Sequence, residues 1–359
     1  MNITYNELEE AYDRASQWKS KRSDVRERNK DFKPNMRRLY TDLCNNQYVM
    51  SPTRRVIISD PVTREIIVLA FRDRIVQHLV HHYISPLREK RFIHDSYSNR
   101  VGKGTLAGIQ RVDHFMRSCS HNYTKDCYVM KLDIQSCFLS VDRQILRELI
   151  YARLRIIDVS RDKRWLLRLI QLIIFHDYCK DYIDHTTYTQ RSLLPPHKSL
   201  FFVPKSQGMP LGNLTSQLFA NIYLHELDQF VKHTLKIKYY ARYVDDFILF
   251  HTDKDYLLIC YKQIKIFLYE KLKMTLHPHK FYLQHYRRWV KFLGVMIYPY
   301  YRVVGKRIIS NCFSMISHSY KESEQKYNSL MSYNGSAIYH KCYKLRQQRM
   351  SQYINSLGF

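Results

Sequence analysis

Paired cysteines, long apolar runs and acidic residues are all scarce in this sequence of 359 residues. The eight cysteines include no CxxC pair, which argues against a zinc ribbon or zinc finger. The longest mainly apolar stretch, Leu166 to Phe175, is too short for a membrane span and is interrupted by Arg168 and Gln171. The first residues, MNITYNELEE, are acidic and polar, so we expect no secretory signal and reduced thiols.

The shortage of acidic residues leaves a strongly basic chain. The 58 Lys and Arg residues outnumber the 32 Asp and Glu residues and give a net charge of +26. Such a charge predicts a polyanionic partner, and nucleic acid fits better than a membrane surface. The 30 tyrosines suit single-stranded nucleic acid, whose bases stack on aromatic rings, although many of them also suit core positions.

Against this background the adjacent pair Asp245 and Asp246 draws attention, within YYARYVDDFILFH from Tyr239 to His251. The flanking segments have strand composition, whereas aspartate is favoured in turns. The pattern predicts a tight β-hairpin with both carboxylates at its tip. Adjacent carboxylates repel unless a cation lies between them, so the pair indicates a divalent metal site; a solvated Asp-Asp turn is the alternative.

A third carboxylate lies in the alternating segment CYVMKLDI at 127–134. Alternation places Val129, Lys131 and Asp133 on one face of a predicted strand, with Asp133 near its end. Asp133 can therefore point at the tip of a neighbouring strand. Phe138 follows five residues later, ahead of a predicted helix that begins near residue 141.

The first part of the chain reads as helices followed by a strand pair. Residues 1–48 show apolar residues at helical spacing and a basic run at 19–28, which fits either a solvated helix face or a nucleic-acid-binding flank. Residues 55–70 read as two strands joined at Asp60-Pro61, with Arg64 just past the turn. A helix is predicted next, from 71 to 87, and further helix is predicted up to about Cys179.

The second part of the chain alternates loops with helices and strands. Residues 207–232 predict a glycine-containing loop and then a helix capped by Thr215 or Ser216. A helix at 256–274, a loop around Lys280 and a strand KFLGVMI containing Gly294 follow. The basic and aromatic tail predicts a helix at 340–357.

Read together, these segments resemble a reverse transcriptase over roughly residues 50–300. The finger hairpin around Arg64, KLDIQSCF with Asp133, GNLTSQ, YVDD, Lys280 and FLG at 292–294 run in the family's order. The resemblance implies an α+β right-hand polymerase with an antiparallel palm sheet and a basic helical N-terminal flank. The implied domains are an N-terminal extension (1–48), fingers (49–126), palm (127–296, with 180–206 returning to the fingers) and thumb (297–359).

One motif resembles a narrower group. PLGNLTSQLFANIYL carries Leu-Gly-x-x-x-Ser-Gln at 211–217 and is similar to the reverse transcriptases of diversity-generating retroelements. Most reverse transcriptases have Gln at the position of Leu211 and Pro at that of Gln217. FRDRIVQHL and EKRFIHDSYSNRVGKGT also resemble this bacterial and phage group and its group II intron relatives.

The family implies nucleotidyl transfer with two Mg²⁺ ions about 3.5–4 Å apart, for which Mn²⁺ is a possible substitute. Lys280 would act as general acid on the pyrophosphate, Arg64 would hold the triphosphate, and Phe138 would exclude a 2′-hydroxyl. Arg72 or Arg74 would assist, although salt bridges on a helix are an equal alternative for these two. The residues implied are Asp133, Asp245, Asp246 and Lys280 for metal binding and catalysis, Arg64, Phe138, Leu211, Gly212 and Gln217 for substrate binding, and Phe292, Leu293 and Gly294 for the primer grip.

The expected function is an RNA-directed DNA polymerase that copies a retroelement template RNA into cDNA with errors opposite adenine. Its partners would be template RNA, a DNA or RNA primer, dNTPs and a small basic pentameric accessory protein, in the cytoplasm of a bacterial or phage-infected cell. A reverse transcriptase of an intron or an antiphage system, without adenine mutagenesis, is one alternative. An RNA chaperone or splicing cofactor with a vestigial polymerase site is another.

Overall fold

The computed structural model describes residues 3–17, 32–58, 62–154, 164–317 and 323–355. Three sequence predictions fall outside this part of the chain: the basic run at 19–28, the turn at Asp60-Pro61, and the last residues of the helix predicted at 340–357. The other elements can be compared with the structure directly.

The structure is mixed α+β, as predicted. Its helices are α1 (Tyr5–Ser16), α2 (Phe32–Cys44), α3 (Phe71–Glu89), α4 (Thr105–Cys119), α5 (Cys137–Ser140), α6 (Arg143–Leu154), α7 (Arg164–Phe175), α8 (Tyr188–Ser192), α9 (Leu214–Gln229), α10 (Lys254–Leu272), α11 (Lys306–Ser317), α12 (Ser323–Ala337) and α13 (Tyr343–Asn355). Its strands are β1 (Thr53–Ile58), β2 (Arg64–Val68), β3 (Tyr128–Asp133), β4 (Tyr182–Asp184), β5 (Tyr239–Tyr243), β6 (Asp246–His251), β7 (Tyr282–His285), β8 (Val290–Phe292), β9 (Val295–Tyr298) and β10 (Tyr301–Val304).

The chain divides into two compact units, each built from three separate segments. The first unit is formed by Met1–Ile93, Ile134–Phe230 and Ile264–Leu276. The second unit is formed by His94–Asp133, Val231–Gln263 and His277–Phe359.

A small sheet in the first unit has the strand order β2-β1-β4. β1 and β2 form the predicted antiparallel pair, and β4 joins β1 in parallel. The prediction of helix up to about Cys179 was wrong, because α7 ends at Phe175. The chain turns there towards β1, where the Thr53 N–H donates to the Asp181 carbonyl (3.0 Å), so pairing with a strand replaces further helix.

Helix α9 forms the centre of the first unit, packed against α3 and α6. Twelve of its sixteen residues are buried, as expected for a helix that is enclosed on most sides. The prediction that Thr215 or Ser216 caps this helix was wrong: Asn213 is the N-cap residue and makes no side-chain capping bond. Thr215 and Ser216 are buried in the first turn instead.

The second unit contains a four-stranded antiparallel sheet with the order β5-β6-β3-β7. Helix α4 packs on β5 and β6, and Val112 and Phe115 of α4 share one apolar core with Ile248 and Phe250 of β6. The acidic residues lie at the ends of two strands of this sheet: Asp133 ends β3 and Asp246 begins β6.

A second sheet in this unit has the order β10-β9-β8. The single strand predicted for KFLGVMI was wrong, because it is a hairpin: β8 and β9 pair through Phe292↔Val295. Leu293 (φ +49°) and Gly294 (φ +82°) form the turn with positive φ angles. Glycine favours positive φ, but leucine rarely adopts it, so the sequence did not indicate a turn at Leu293. Helices α11, α12 and α13 pack on one another after β10. Among the described residues, no helix is both long and apolar enough to cross a bilayer.

Candidate active site

The predicted acidic hairpin is confirmed. β5 and β6 are antiparallel, with Tyr243 opposite Asp246, and Val244 and Asp245 form the turn. Val244 adopts φ +55°, an unusual conformation for a β-branched residue. Asp245 therefore lies at the tip of the hairpin and Asp246 is the first residue of β6.

Asp133 is the last residue of β3 and lies directly opposite Asp246 in the antiparallel register. The sequence prediction that Asp133 points at the tip of a neighbouring strand is thus confirmed. Carboxylates opposite each other on neighbouring strands destabilise a sheet unless positive charge compensates them. The site consequently depends on cations.

Two lysines supply positive charge to this pair. The Lys280 ammonium lies 2.9 Å from each carboxylate oxygen of Asp133. The Lys131 ammonium lies 2.9 Å from Oδ2 of Asp246. The loop that carries Lys280 is fixed to the strand end, because the His277 N–H donates to the Asp133 carbonyl (2.8 Å).

The environment of Asp246 disfavours a bare negative charge. The pKa of Asp246 is raised to about 6, chiefly by burial; Lys131 opposes the rise, and the charges of Asp133 and Asp245 add to it. One carboxylate oxygen, Oδ1, is buried and accepts no hydrogen bond. An unsatisfied carboxylate oxygen beside two other carboxylates is a donor set that a hard divalent cation prefers.

The described residues contain no group of three or more His, Cys, Asp or Glu side chains already arranged around one point. Instead, Lys131 forms an ion pair with Asp246, and Lys280 forms one with Asp133. Asp133, Asp245 and Asp246 fit Mg²⁺ in their chemistry, and binding of the ion would require the lysines to move away from the oxygens.

A cavity of about 350 Å³ opens beside these groups in the second unit. Lys131, Asp133, Asp246 and Lys280 line one part of it. Tyr282, Gln284, Trp289, Val290 and Lys291 are among the residues that line the rest. Acids, lysines and exposed rings therefore share one cavity, which suits a nucleotide or the end of a nucleic-acid strand.

Arg242 is a residue of this site that the sequence prediction missed. Its side chain is fully buried, and its guanidinium donates to the Val244 carbonyl (3.1 Å) and to the Ser96 hydroxyl (3.3 Å). The backbone N–H of Arg242 also donates to the Asp95 carbonyl (2.9 Å). Arg242 thus holds the turn that carries Asp245. The one signal in the sequence was the presence of a charged arginine within a segment of strand-forming residues.

The predicted primer-grip residues form the β8–β9 turn. Phe292 is fully buried, so it is a core residue. Leu293 packs on α4, since a Cβ added at Gly108 would lie 3.3 Å from its Cδ1. A Cβ added at Gly294 would lie 2.5 Å from the Cδ1 of Ile308, and the backbone there has φ +82°, so the position favours glycine.

The first unit contains the predicted substrate-binding residues. Arg64 is exposed at the start of β2. A Cβ added at Gly212 would lie 3.0 Å from Ile66 of the same strand. The Phe138 carbonyl accepts from the Met209 N–H (2.8 Å), which ties the segment of Phe138 to this loop.

Leu211 and Gln217 are both half-buried, Leu211 next to Gly212 and Gln217 in the first turn of α9. Arg72 pairs with Asp42 at 2.5 Å, which matches the salt-bridge alternative for this arginine, and Arg74 lies over the ring of Phe71.

Comparisons with known proteins agree with this geometry. A model of the family described as reverse transcriptase (RNA-dependent DNA polymerase) matches residues 60–297. Group II intron-encoded protein LtrA of Lactococcus lactis subsp. cremoris is 22% identical over 324 residues, covering 72% of this chain and 49% of LtrA. Protein YkfC of Escherichia coli (strain K12) is 26% identical over 196 residues, covering 54% of this chain and 44% of YkfC. The chain spans about half the length of these curated relatives.

Among solved structures, apo telomerase from Candida tropicalis aligns with a TM-score of 0.50. The identity is 12%, and the alignment covers 90% of this chain and 64% of that chain. At this identity the similarity shows a shared polymerase fold and nothing about substrates.

Proposed function

Because the chain belongs to the reverse transcriptase family, we propose that it copies an RNA template into DNA. The observation that carries this proposal is the pairing of Asp133 and Asp246 across β3 and β6, with Asp245 in the adjoining turn. Three carboxylates at one end of the two central strands, in a chain of net charge +26, fit a reaction that needs cations at a polyanionic substrate.

Asp133, Asp245 and Asp246 would hold two Mg²⁺ ions. When bound, the ions supply the positive charge that activates a primer 3′-hydroxyl and neutralises a triphosphate. The buried, unpartnered Oδ1 of Asp246 supports this assignment. Lys280 moves from Asp133 to the pyrophosphate and donates its proton there, in accordance with its 51% exposed side chain.

The remaining roles concern positioning of the substrates. Arg64 binds the triphosphate, the ring of Phe138 selects deoxyribonucleotides, and the turn at 292–294 supports the primer. The link between Phe138 and the loop before α9 supports a common nucleotide-binding surface in the first unit. Fingers, palm and thumb with the boundaries given above are part of the same proposal.

We further propose that the enzyme serves a diversity-generating retroelement and makes errors opposite adenine. Leu211 offers only apolar contact where most reverse transcriptases carry glutamine, so geometric selection against mispairs is weaker. The template would be the RNA of the retroelement. A small basic pentameric accessory protein would join the complex, with RNA bridging much of the contact between two basic partners.

The curated relatives favour a second candidate within the same chemistry. LtrA and the putative COX1/OXI3 intron 2 protein of Saccharomyces cerevisiae are both described as intron proteins. An intron-type or antiphage reverse transcriptase would extend primers without adenine-directed errors. An RNA chaperone with a vestigial site would bind RNA without extending a primer.

Primer extension separates these candidates. Purified protein is incubated with Mg²⁺, dNTPs and a primed RNA template, and the cDNA is sequenced. Asp245→Asn should abolish extension, whereas the matched control Asp126→Asn, at an exposed position, should leave it unchanged. Errors concentrated opposite adenine support the retroelement role, and accurate cDNA supports the intron or antiphage role. Extension that survives Asp245→Asn would contradict the proposed chemistry.

Leu211→Gln tests the origin of the errors. Restoring a hydrogen-bonding side chain should lower misincorporation opposite adenine by about tenfold, while errors opposite other bases change less. The measurement is the error spectrum of cDNA made from one RNA template by both proteins. An unchanged spectrum would remove Leu211 from the explanation.

A further inference from the structure

A second cavity in the second unit, which we call the Tyr300 pocket, has a volume of about 430 Å³. It is lined by Gln110, Asp113, His114 and Arg117 of α4, by Asn122 and Tyr123 of the following turn, and by Tyr300 between β9 and β10. It shares no lining residue with the cavity at the acidic residues. The reaction proposed above therefore leaves the Tyr300 pocket without a role.

The wall of this pocket is an aromatic cluster supported from behind. Tyr286 stacks on Tyr123 at 5.8 Å with an interplanar angle of 28°, and its hydroxyl donates to the Tyr123 carbonyl (2.8 Å). Tyr300 meets the same ring edge-on at 4.6 Å. Tyr123 is thus held in place, whereas Tyr300 is 81% exposed.

The backbone explains why Tyr300 stays at the surface. Tyr300 lies in the two-residue connection between Tyr298 and Tyr301, which pair with each other, and adopts φ +72°. A bulky side chain is disfavoured in this left-handed region of the backbone. The ring is therefore presented to solvent by a tight turn rather than by a flexible loop.

The polar lining of the pocket combines one cationic side chain, Arg117, with groups that can form hydrogen bonds to a base. Asp113 lies 3.6 Å from the Arg302 guanidinium, which leaves its second oxygen for another donor. Arg117 is exposed, and its guanidinium makes no hydrogen bond within the described part of the chain. Gln110 and Asn122 add amide groups that both donate and accept.

We propose that the Tyr300 pocket binds one unstacked nucleotide of single-stranded RNA, apart from the catalytic cavity. The base would stack on Tyr300, Arg117 would contact its phosphate, and Asp113 with the amides would contact the base edge. Exposed rings beside arginine are the usual platform for single strands, and a chain of net charge +26 attracts polyanions rather than other basic proteins. The inference goes beyond the proposed reaction, because a nucleotide held here is anchored and is not copied.

Affinity for RNA tests the proposal. A labelled single-stranded RNA is titrated with wild-type protein, Tyr300→Ala and Tyr300→Phe. Loss of the ring should weaken binding about five- to tenfold, while phenylalanine, which keeps the ring, should bind like the wild type. Tyr188→Ala is the matched control, because Tyr188 is also exposed (78%) but belongs to the first unit.

The phosphate contact has its own test. Arg117→Gln should weaken binding several-fold and reduce the slope of log affinity against log salt by about 0.7, the value for one contact to a single strand. Lys262→Gln also removes one positive charge, from an exposed position of α10, and should change neither the RNA affinity nor the salt slope. Equal losses in both variants would show only general attraction and would overturn the proposal.

Cross-linking places the RNA on the protein directly. RNA substituted with 5-iodouridine is irradiated in the full-length complex, and the cross-linked peptides are identified by mass spectrometry. Peptides containing Tyr123 or Tyr300 support the proposal, and their absence among the RNA cross-links overturns it. The proposal is also overturned if Tyr300→Ala weakens binding of an accessory protein but leaves RNA binding unchanged. A wild-type protein that binds RNA but extends no primer would contradict the proposed reaction alone.

Discussion

Single residues show how the acidic centre is held together when four charges converge. Asp133 and Asp246 face each other across two strands, and Lys280 and Lys131 each compensate one of them. The two lysines differ in mobility. Lys280 comes from a loop, whereas Lys131 belongs to β3 itself, two residues before Asp133, so the strand pairing fixes its backbone beside Asp246 and only its side chain can move away.

Lys131 therefore competes with Mg²⁺ for Asp246. Lys131→Gln removes a positive charge 2.9 Å from the carboxylate, so the site should bind cations more tightly. We expect the Mg²⁺ concentration for half-maximal primer extension to fall about three- to tenfold, as measured by Mg²⁺ titration. Lys262→Gln, an exposed lysine outside the cavity, is the control. A higher Mg²⁺ requirement in Lys131→Gln would mean that Lys131 instead helps to position the carboxylate.

At this scale the acidic residues of the site could be predicted from the sequence, whereas most of the basic residues that contact them could not. Asp133, Asp245 and Asp246 could be predicted, because alternation and turn preference are local properties. Lys131 was correctly predicted on the same strand face as Asp133. Its pairing with Asp246 depends on the register between β3 and β6, which a local sequence pattern cannot predict. Arg242 was missed for the same reason: its partners are Ser96, far away in the chain, and a turn carbonyl.

At the scale of elements, Glu65 joins three parts of the first unit. Its buried carboxylate accepts from the Arg55 guanidinium of β1 (2.7 and 2.8 Å). It also accepts from the Ser199 hydroxyl (2.9 Å) and the Leu200 N–H (2.7 Å). The strand that carries Arg64 is fixed by this network, since Arg64 and Glu65 are adjacent.

Glu65→Gln should weaken this network and disturb Arg64. The amide keeps the shape of the side chain but loses the charge and presents donors to the donors around it, so the free energy of unfolding should fall by about 2–4 kcal/mol. If Arg64 binds the triphosphate, KM for dNTP should rise more than kcat falls. Chemical denaturation and steady-state extension measure the two effects. The exposed Glu148→Gln is the control, and a variant with lower stability but unchanged KM would separate Glu65 from nucleotide binding.

Asp95 fixes another junction, in the second unit, and makes it sensitive to acid. Burial raises the pKa of Asp95, but hydrogen bonds from His94, Tyr97 and Arg111 outweigh burial and hold this pKa below its ordinary value. A carboxyl whose pKa is lower in the folded state stabilises the fold above its unfolded pKa of about 3.9. That contribution is lost as pH falls through the folded pKa.

Asp95→Asn should remove this dependence on pH. The difference in unfolding free energy between wild type and variant should be constant from about pH 5 to pH 7 and should shrink below about pH 4. Denaturant titrations at a series of pH values give this difference. A difference that stays the same down to about pH 3 would show that the charge of Asp95 contributes nothing to stability.

At the scale of the whole molecule, the order of motifs and the acidic turn at 244–245 could be read from the sequence, but the turn at 293–294 could not. The strand pair at β1 and β2, the hairpin of β5 and β6, and helices α3 and α10 follow from composition and periodicity. The hairpin at 292–295 was predicted as one strand, because Phe-Leu-Gly-Val is apolar throughout. Packing of the chain into two interleaved units also depends on contacts between distant segments.

The charge of the whole chain leads to the last prediction, which concerns salt. If the net charge of +26 serves RNA binding, affinity is dominated by the release of counterions from phosphates. Six to ten contacts to a single strand give a slope of roughly −4 to −7 in log affinity against log salt. Binding should thus weaken by about three orders of magnitude between 50 and 200 mM salt, as measured by anisotropy titrations.

The matched control for salt is a peptide nucleic acid of the same base sequence, which has no phosphates. It should bind weakly, with a slope near zero, because only stacking on aromatic rings remains. A slope shallower than about −2 with RNA would mean that most of the 58 basic residues serve something other than the template. Equal slopes for RNA and the neutral analogue would exclude phosphate contacts as the cause. A steep slope for RNA alone would connect the composition of the chain to its substrate through the backbone, independently of any base-specific contact.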